Sequence, residues 1–371
     1  MSVTDFGRQQ PQQKLAWGHK AYEEYVEKFF FTKMLGQGSE AIIEHITELT
    51  KNNKGEVGAY FHLIPRITGG GVVGDNQLQG RERTLDSHWQ RVNFDQLRNG
   101  IKNKGRLADQ KSVIQFRRPT RKAMALWLAD TWEDQAILTA SGISYAFNTD
   151  GSPRVTPEGQ DPWTDLEYAN DVRPPSPNRH FRWDAVEGLV PGDTSAIEPA
   201  DLPVYDMLPE IKARAATKRI TPLRLAGKDY YIVLAHENTM ARWYRNADFR
   251  STIVNADVRG EANKIFTGAI VTMNGLVIHP YARVYNTLGA AAGLKWGNGN
   301  VNGSRTLVLG AQALALADLG VPGWEEENED YNNRYGVSIN KMGGWLKPQF
   351  PSSYDGGSVE DFGVMAIDHA I

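Results

Sequence analysis

The chain has no cysteine. Disulfide frameworks and cysteine-ligated zinc are therefore excluded, and the composition fits assembly in a reducing compartment. No apolar run approaches the roughly 18 residues of a membrane-spanning helix, and no secretory leader precedes Trp17, so neither a membrane span nor export is expected. A basic excess is missing too. With 41 Lys and Arg against 44 Asp and Glu, the formal net charge is −3. Proteins that grip nucleic acid through its phosphates carry a basic surplus or stripe, so tight nucleic-acid binding is not expected of this chain. No repeat of solenoid or propeller period is present.

Motifs that carry chemistry are scarce. Gly69-Gly-Gly-Val-Val-Gly74 is followed by no Gly-Lys-Ser/Thr and opens no helix, so it reads as flexible backbone at a turn and not as a phosphate cradle. The eight histidines include no His-Glu-x-x-His pair, and His62, His236 and His279 fall in or beside strands, where a structural role is the default. Gly142-Ile-Ser-Tyr-Ala146 has alanine where a nucleophile elbow needs its second glycine. Glu325-Glu-Glu-Asn-Glu-Asp330 lacks the spaced ligands of a calcium loop and reads as a solvated acidic loop. A chance pair of carboxylates near tryptophans would make a carbohydrate-active enzyme the strongest catalytic alternative. Catalytic, cofactor-binding and metal positions are accordingly read as none.

What is present is organised around residues 55–142. Two extended runs, 56–67 and 86–99, are rich in β-branched and aromatic residues and read as an antiparallel hairpin; each would reach about 35 to 40 Å at roughly 3.3 Å per residue. A hairpin alone is marginally stable in water, so something must cover it. Arg66, Arg81, Arg83, Arg91 and Arg98 lie along this arm with Glu82, Asp86 and Asp95, a surface of both signs suited to lying on a neighbouring subunit. After it, Met124, Trp127, Leu128, Trp132 and Ala136 recur at spacings of three and four, and no glycine interrupts the run before Gly142, which predicts a long helix with Pro119 in its first turn. From 119 to 141 it would span about 34 Å.

Elsewhere the signals are shorter. Residues 1–14 read as a flexible polar arm, 17–35 as helical at their centre, and 41–50 as either a helical face or a buried strand. Ten of the 18 prolines fall between 143 and 220, which predicts ordered loops with no long helix before about 201–217. Strands are expected at 230–235, 276–285, 305–309, 336–339 and 362–367, a short helix at 238–244, a glycine-rich loop at 289–303 and an alanine-rich helical turn at 311–318. Hydrophobic content of 41% fits a folded chain, and the mixture is α+β.

The order of these features resembles the major capsid proteins of tailed phages, in particular the family typified by the coat protein of phage "N-four". The resemblance rests on the tip Thr68-Gly-Gly-Gly-Val-Val-Gly-Asp75 and the helix Phe116-Arg-Arg-Pro-Thr-Arg-Lys-Ala-Met-Ala-Leu-Trp-Leu-Ala129. Downstream it draws on Ile265-Phe-Thr-Gly-Ala269, Asn274-Gly-Leu-Val-Ile-His-Pro280, Leu309-Gly-Ala-Gln-Ala313 and Asp361-Phe-Gly-Val-Met365. It implies the Hong Kong ninety-seven type (Johnson) capsid fold. The corresponding division is an N-terminal arm (1–54), an E-loop hairpin (55–108), a spine helix (109–142), a proline-rich peripheral-domain segment (143–220), an axial domain (221–320) and closing peripheral-domain strands (321–371).

On that resemblance the chain is a major capsid protein that self-assembles as hexamers and pentamers into an icosahedral shell. It would be assembled in the host cytoplasm, reside in the virion and enclose double-stranded DNA. Its partners would be copies of itself, with scaffolding, portal and cement or decoration proteins where the phage uses them. The implied intersubunit residues on the E-loop are Arg66, Arg81, Glu82, Arg83, Asp86, Trp89 and Arg91. Some relatives link an E-loop lysine covalently to a neighbour's asparagine, but no lysine lies between 64 and 97, so noncovalent contacts are expected here. The short N-terminal region leaves no room for a fused scaffolding domain. A tail or decoration protein remains the alternative within the virion.

Overall fold

The computed structural model describes residues 11–47, 59–63, 71–82, 87–111, 117–225, 227–255, 271–331, 333–352 and 356–371. Expectations placed on residues 1–10 and 265–269, and on the outer ends of the first hairpin run, lie outside these. In chain order, α1 (Pro11–Lys28) leads through a 3-10 turn to β1 (Leu35–Gly36) and β2 (Ile43–Ile46), then β3 (Ala59–Leu63), β4 (His88–Val92), β5 (Asp95–Lys102), the short α2 (Arg106–Lys111) and the long α3 (Arg117–Ser141). Loops and short 3-10 turns fill the proline-rich stretch up to β6 (His180–Asp184) and β7 (Gly188–Pro191), followed by α4 (Met207–Thr217), β8 (Leu223–Leu225), β9 (Lys228–Ala235), α5 (Glu237–Trp243) and α6 (Ala247–Asn255). The remainder is strand: β10 (Val271–Met273), β11 (Leu276–Pro280), β12 (Gly303–Leu309), β13 (Leu314–Asp318), β14 (Gly323–Glu329), β15 (Arg334–Leu346), β16 (Gln349–Pro351), β17 (Val359–Asp361) and β18 (Val364–Ala370).

The helix α3 forms where its spacing predicts, with Pro119 in the first turn. Met124, Leu128, Trp132 and Ala136 make one buried row at four-residue intervals. It stops at Gly142, whose φ of +67° suits glycine. There Ile143 N donates to Leu138 O at 2.9 Å and Gly142 N to Thr139 O at 3.2 Å, the paired bonds of a Schellman cap. A Cβ at Gly142 would also collide with Arg173 O.

Two large sheets flank this helix. In the eight-stranded sheet the order is β10-β11-β9-β12-β18-β6-β7, with β8 also on β9. Its central strands are apolar on both faces. Ile232, Leu234, Leu307, Leu309 and Val364 join the core around α3, while Tyr231, Val233, Val308, Met365 and Ile367 pack under Leu208 and Ile211 of α4 and Met240 and Trp243 of α5. In the six-stranded sheet the 13-residue β15 is the spine. Its partners β13 and β14 follow one another along one edge, while β5 lies along the other.

Several boundaries differ from the sequence reading. The run 86–99 is two strands: β4 pairs with β3, and the chain then changes partner at Asn93, so that β5 pairs with β15. The break sits where Asn93 Nδ2 donates to Asp171 Oδ2 at 2.9 Å and where Gly344 lets the backbone come close; a Cβ there would strike Asn93 O. Residues 314–318 are a strand and not a helical turn. β13 lies between β2 and β15, with Leu314 and Leu316 in the core around α3 and Ala315 and Ala317 in a second cluster under the hairpin, so two-sided burial overrides alanine's helical preference. The acidic segment 325–329 is not a loop. As β14 it pairs with β15 from Gly323↔Asn340 to Glu329↔Arg334, burying Trp324 and exposing Glu325 and Glu327. The helix α1 starts at Pro11, inside the stretch read as a flexible arm. Within the segment 41–50, Ile43–Ile46 form the strand β2, the expected strand at 276–285 ends at Pro280, and α4 begins only at Met207.

Candidate assembly surface

The β3–β4 hairpin has one face for its own chain and one for solvent. Ala59, Phe61 and Val92 are buried with Ile46, Leu346 and Phe350, and the Phe61 and Phe350 rings stack at 5.7 Å. Gln90 ties the arm down edgewise: its Nε2 donates to Gln349 O at 2.6 Å, and its Oε1 accepts from Gln349 N at 2.9 Å. On the opposite face Tyr60 pairs across the ladder with Arg91, and His62 with Trp89. Tyr60 (52% exposed) and Trp89 (61%) meet edge to face at 5.5 Å. Large aromatics left in water beside an arginine are the composition of a protein contact surface.

The charged positions singled out in the sequence fall in three groups. Trp89 and Arg91 share the outer face of β4. Arg81 and Glu82 are exposed in the connection between the strands, where Glu82 Oε2 accepts from Gly80 N at 2.6 Å. Arg66, Arg83 and Asp86 lie outside the described residues. Tyr60 and Gln90 were not singled out, although the alternation of β3 and β4 contained the signal.

Buried charges hold the frame from which the hairpin projects. Arg305 and Asp368 form a bidentate pair at 2.7 and 2.8 Å; Arg305 Nη1 also donates to Ser141 O at 2.5 Å, and His180 Nε2 stands 2.6 Å from Asp368 Oδ2. A guanidinium thus closes the C-terminal end of α3, where a cation is favoured. Burial acts to raise the Asp368 pKa, but Arg305 and His180 outweigh it and hold the carboxylate below its ordinary range. Next to this pair His369 is fully buried with Nδ1 3.1 Å from Ala370 O and Nε2 2.9 Å from Thr306 Oγ1; burial lowers its pKa to about 4.

At the middle of α3, Glu133 accepts from Phe30 N at 2.6 Å and from Tyr281 Oη at 2.5 Å, joining the segment after α1 to the segment after β11. Burial raises its pKa against those hydrogen bonds. Arg283 gathers Asp130, Glu133 and Asp134 of the same helix. Across the helix, Lys341 Nζ donates to Asp318 Oδ1 at 2.7 Å and Gly320 O at 3.1 Å. The lysine fills the bulge between β13 and β14 and lies 5.4 Å from the centroid of Trp132 and 5.7 Å from that of Tyr25, a cation–π enclosure. A second buried lysine, Lys347, pairs with Asp361 at 3.2 Å.

Among the described residues no group of three or more His, Cys, Asp or Glu side chains could hold a metal ion, and no helix is long and apolar enough to cross a membrane. Exposed aromatics, an edge-clamped hairpin and a braced frame can present a surface to a neighbour.

Comparison with known proteins is consistent along the whole chain. A family model described as phage capsid protein matches residues 6–371. The chain is 42% identical over 370 residues to the major capsid protein of Pseudomonas phage KPP25, covering 99% of this chain and 97% of that one. Among solved structures, the capsid of Ralstonia phage GP4 superposes with a TM-score of 0.77 at 20% identity over 100% of this chain and 98% of the other. The cyanophage Pam1 capsid does so with a TM-score of 0.67 at 17% identity over 99% of both chains. These two likenesses speak to fold alone.

Proposed function

The chain belongs to the phage capsid protein family and its function is that of a phage major capsid protein; from that premise we propose that many copies close an icosahedral shell as hexamers and pentamers. The observation that carries this reading is the 42% identity to a phage major capsid protein over 99% of the chain. The fold is the Hong Kong ninety-seven type α+β capsid fold, and the family is not a class of enzymes. We read the chain as non-catalytic and as a component of the virion, assembled in the host cytoplasm.

In this reading the β3–β4 hairpin and its connection are the E-loop, laid on an adjacent subunit through the face that bears Tyr60, Trp89 and Arg91, with Arg66, Arg81, Glu82, Arg83 and Asp86 contributing ion pairs. Exposed pairs contribute only about 0 to 1 kcal/mol each. Stability of a shell then comes from repetition and from apolar area buried at roughly 25 cal/mol per Å². The spine is α3, and residues 221–320 are proposed to meet their symmetry mates at the capsomer centre. A net charge of −3 suits a wall that encloses double-stranded DNA without specific grip. Scaffolding, portal and cement proteins are the expected further partners.

Sedimentation of the expressed protein, alone and with its phage's scaffolding protein, tests the reading. Capsomer-sized or shell-sized species support it. A chain that sediments only as a 41.4 kDa monomer under every condition contradicts it.

A further inference from the structure

At the far end of the six-stranded sheet from the hairpin stands a second, smaller projection. The turn between β14 and β15 carries Asp330 and Tyr331, both with φ of +52°, a left-handed conformation that is unfavourable for a bulky tyrosine. Tyr331 is completely exposed, at 103% of its reference area. The turn is nevertheless braced. Asn333 donates to Asp330 through its backbone N at 2.9 Å and through Nδ2 to Oδ2 at 3.0 Å, while Arg106 N donates to Asn333 O at 3.1 Å and Asn103 N to Tyr335 O at 2.9 Å. An aromatic ring held in water by a strained and braced turn is preorganised for a contact outside its own chain.

The complementary feature lies at the opposite end of the same strand. Just beyond the C-terminal end of β15, a groove of about 340 Å³ opens between β4 and the β16–β17 ladder, lined by Trp89, Phe350, Pro351 and Val359 with Arg173 at its side. Arg173 is exposed, its Nη1 3.4 Å from Gln349 Oε1. The groove therefore offers aromatic walls and a cation, and the turn offers an aromatic ring beside Asp330 and the exposed Glu327. The 13 residues of β15 separate the two by roughly 40 Å at about 3.3 Å per residue, so they cannot meet within one chain. A plug and a socket at opposite ends of one subunit make a heterologous, head-to-tail contact, the kind that builds rings and lattices.

We propose that Tyr331 of one copy seats in the groove bounded by Trp89, Phe350 and Val359 of a second copy, with Asp330 facing Arg173. The proposal rests on the capsid reading and names one of its contacts.

The cysteine-free chain makes the test direct. In the double variant Tyr331→Cys with Val359→Cys, both positions being exposed, a short bis-maleimide applied to assembled particles should give a ladder of multimers on a denaturing gel, while each single variant gives none. Particles of the double variant that stay a single band overturn the proposal. A charge exchange supplies the second measurement should the cysteine pair not assemble: Arg173→Glu and Asp330→Arg should each reduce particle yield about tenfold through like-charge contact, and the two together should restore most of it. Single reversals with undiminished yield, or a combination no better than either alone, also overturn it. Failure of the unaltered chain to form particles would count against the capsid reading itself; particles without the cross-link or the rescue count against this contact only.

Discussion

Arg305 and Asp368 stand opposite one another on β12 and β18, in register and joined by two hydrogen bonds of 2.7 and 2.8 Å, with the same guanidinium reaching Ser141 O at 2.5 Å. One arginine thereby ties the eight-stranded sheet to the end of the long helix. Replacing it by Arg305→Met leaves a carboxylate that has no exposure to water with His180 in place of its bidentate partner, which should cost about 3 kcal/mol. Urea unfolding of the unassembled subunit measures this; a loss under about 1 kcal/mol would show that the pair does not hold the frame.

The hairpin should behave in the opposite way. Trp89 is largely in water and loses chiefly its edge-to-face contact with Tyr60, so Trp89→Ala should lower subunit stability by no more than about 1.5 kcal/mol. Its effect belongs in assembly, where the yield of shells should fall. Unchanged shell yield, or a subunit that no longer folds, would each remove this face from the interface.

Acid should loosen the subunit in a defined window. The neutral, buried His369 has its pKa lowered from 6.5 to about 4, so the unfolded chain binds its proton first. The stability this contributes is complete above about pH 6.5 and is lost as pH falls toward 4, on the order of 3 kcal/mol in all. Asp368 and Asp318, both held below the ordinary carboxylate range against the effect of burial, extend the loss to lower pH in the same direction. Melting temperature recorded from pH 7.5 to 4 should fall with decreasing pH, and His369→Gln should flatten the upper part of that slope. A melting temperature that is constant or rises on acidification would contradict the assignment.

The parts of this architecture that depend on local pattern were open to reading from the residues. The stripe from Met124 to Ala136 and the glycine at 142 specify α3, and the apolar run 230–235 specifies β9. Elements decided by distant partners were not. Residues 314–318 alternate Leu and Ala, a pattern that serves a helix as well as a strand until β2 and β15 close on both sides. The glutamates of β14 have poor strand propensity and are strands because β15 pairs with them. The break at Asn93 answers to Gly344, some 250 residues away in the chain. Lys341 looks like any surface lysine, yet it is 1% exposed, because Asp318, Trp132 and Tyr25 converge on it from three separate segments. For the candidate surface, Trp89 and Arg91 were visible as one arm's exposed residues, whereas the choice of outer face needed the register with β3.

With no lysine between 64 and 97, the hairpin cannot supply the amine for a lysine–asparagine link. Particles boiled in detergent should release a single band near 41.4 kDa. A ladder of multimers from the unaltered chain would mean that another lysine forms a covalent bond between subunits.

The central claim is tested most directly by negative-stain electron microscopy of the protein purified from its source or expressed with any companion scaffold. Closed polyhedral shells, or free hexameric and pentameric capsomers, are the predicted result. A uniform monomer that never assembles, with scaffold present and at raised salt, would contradict it.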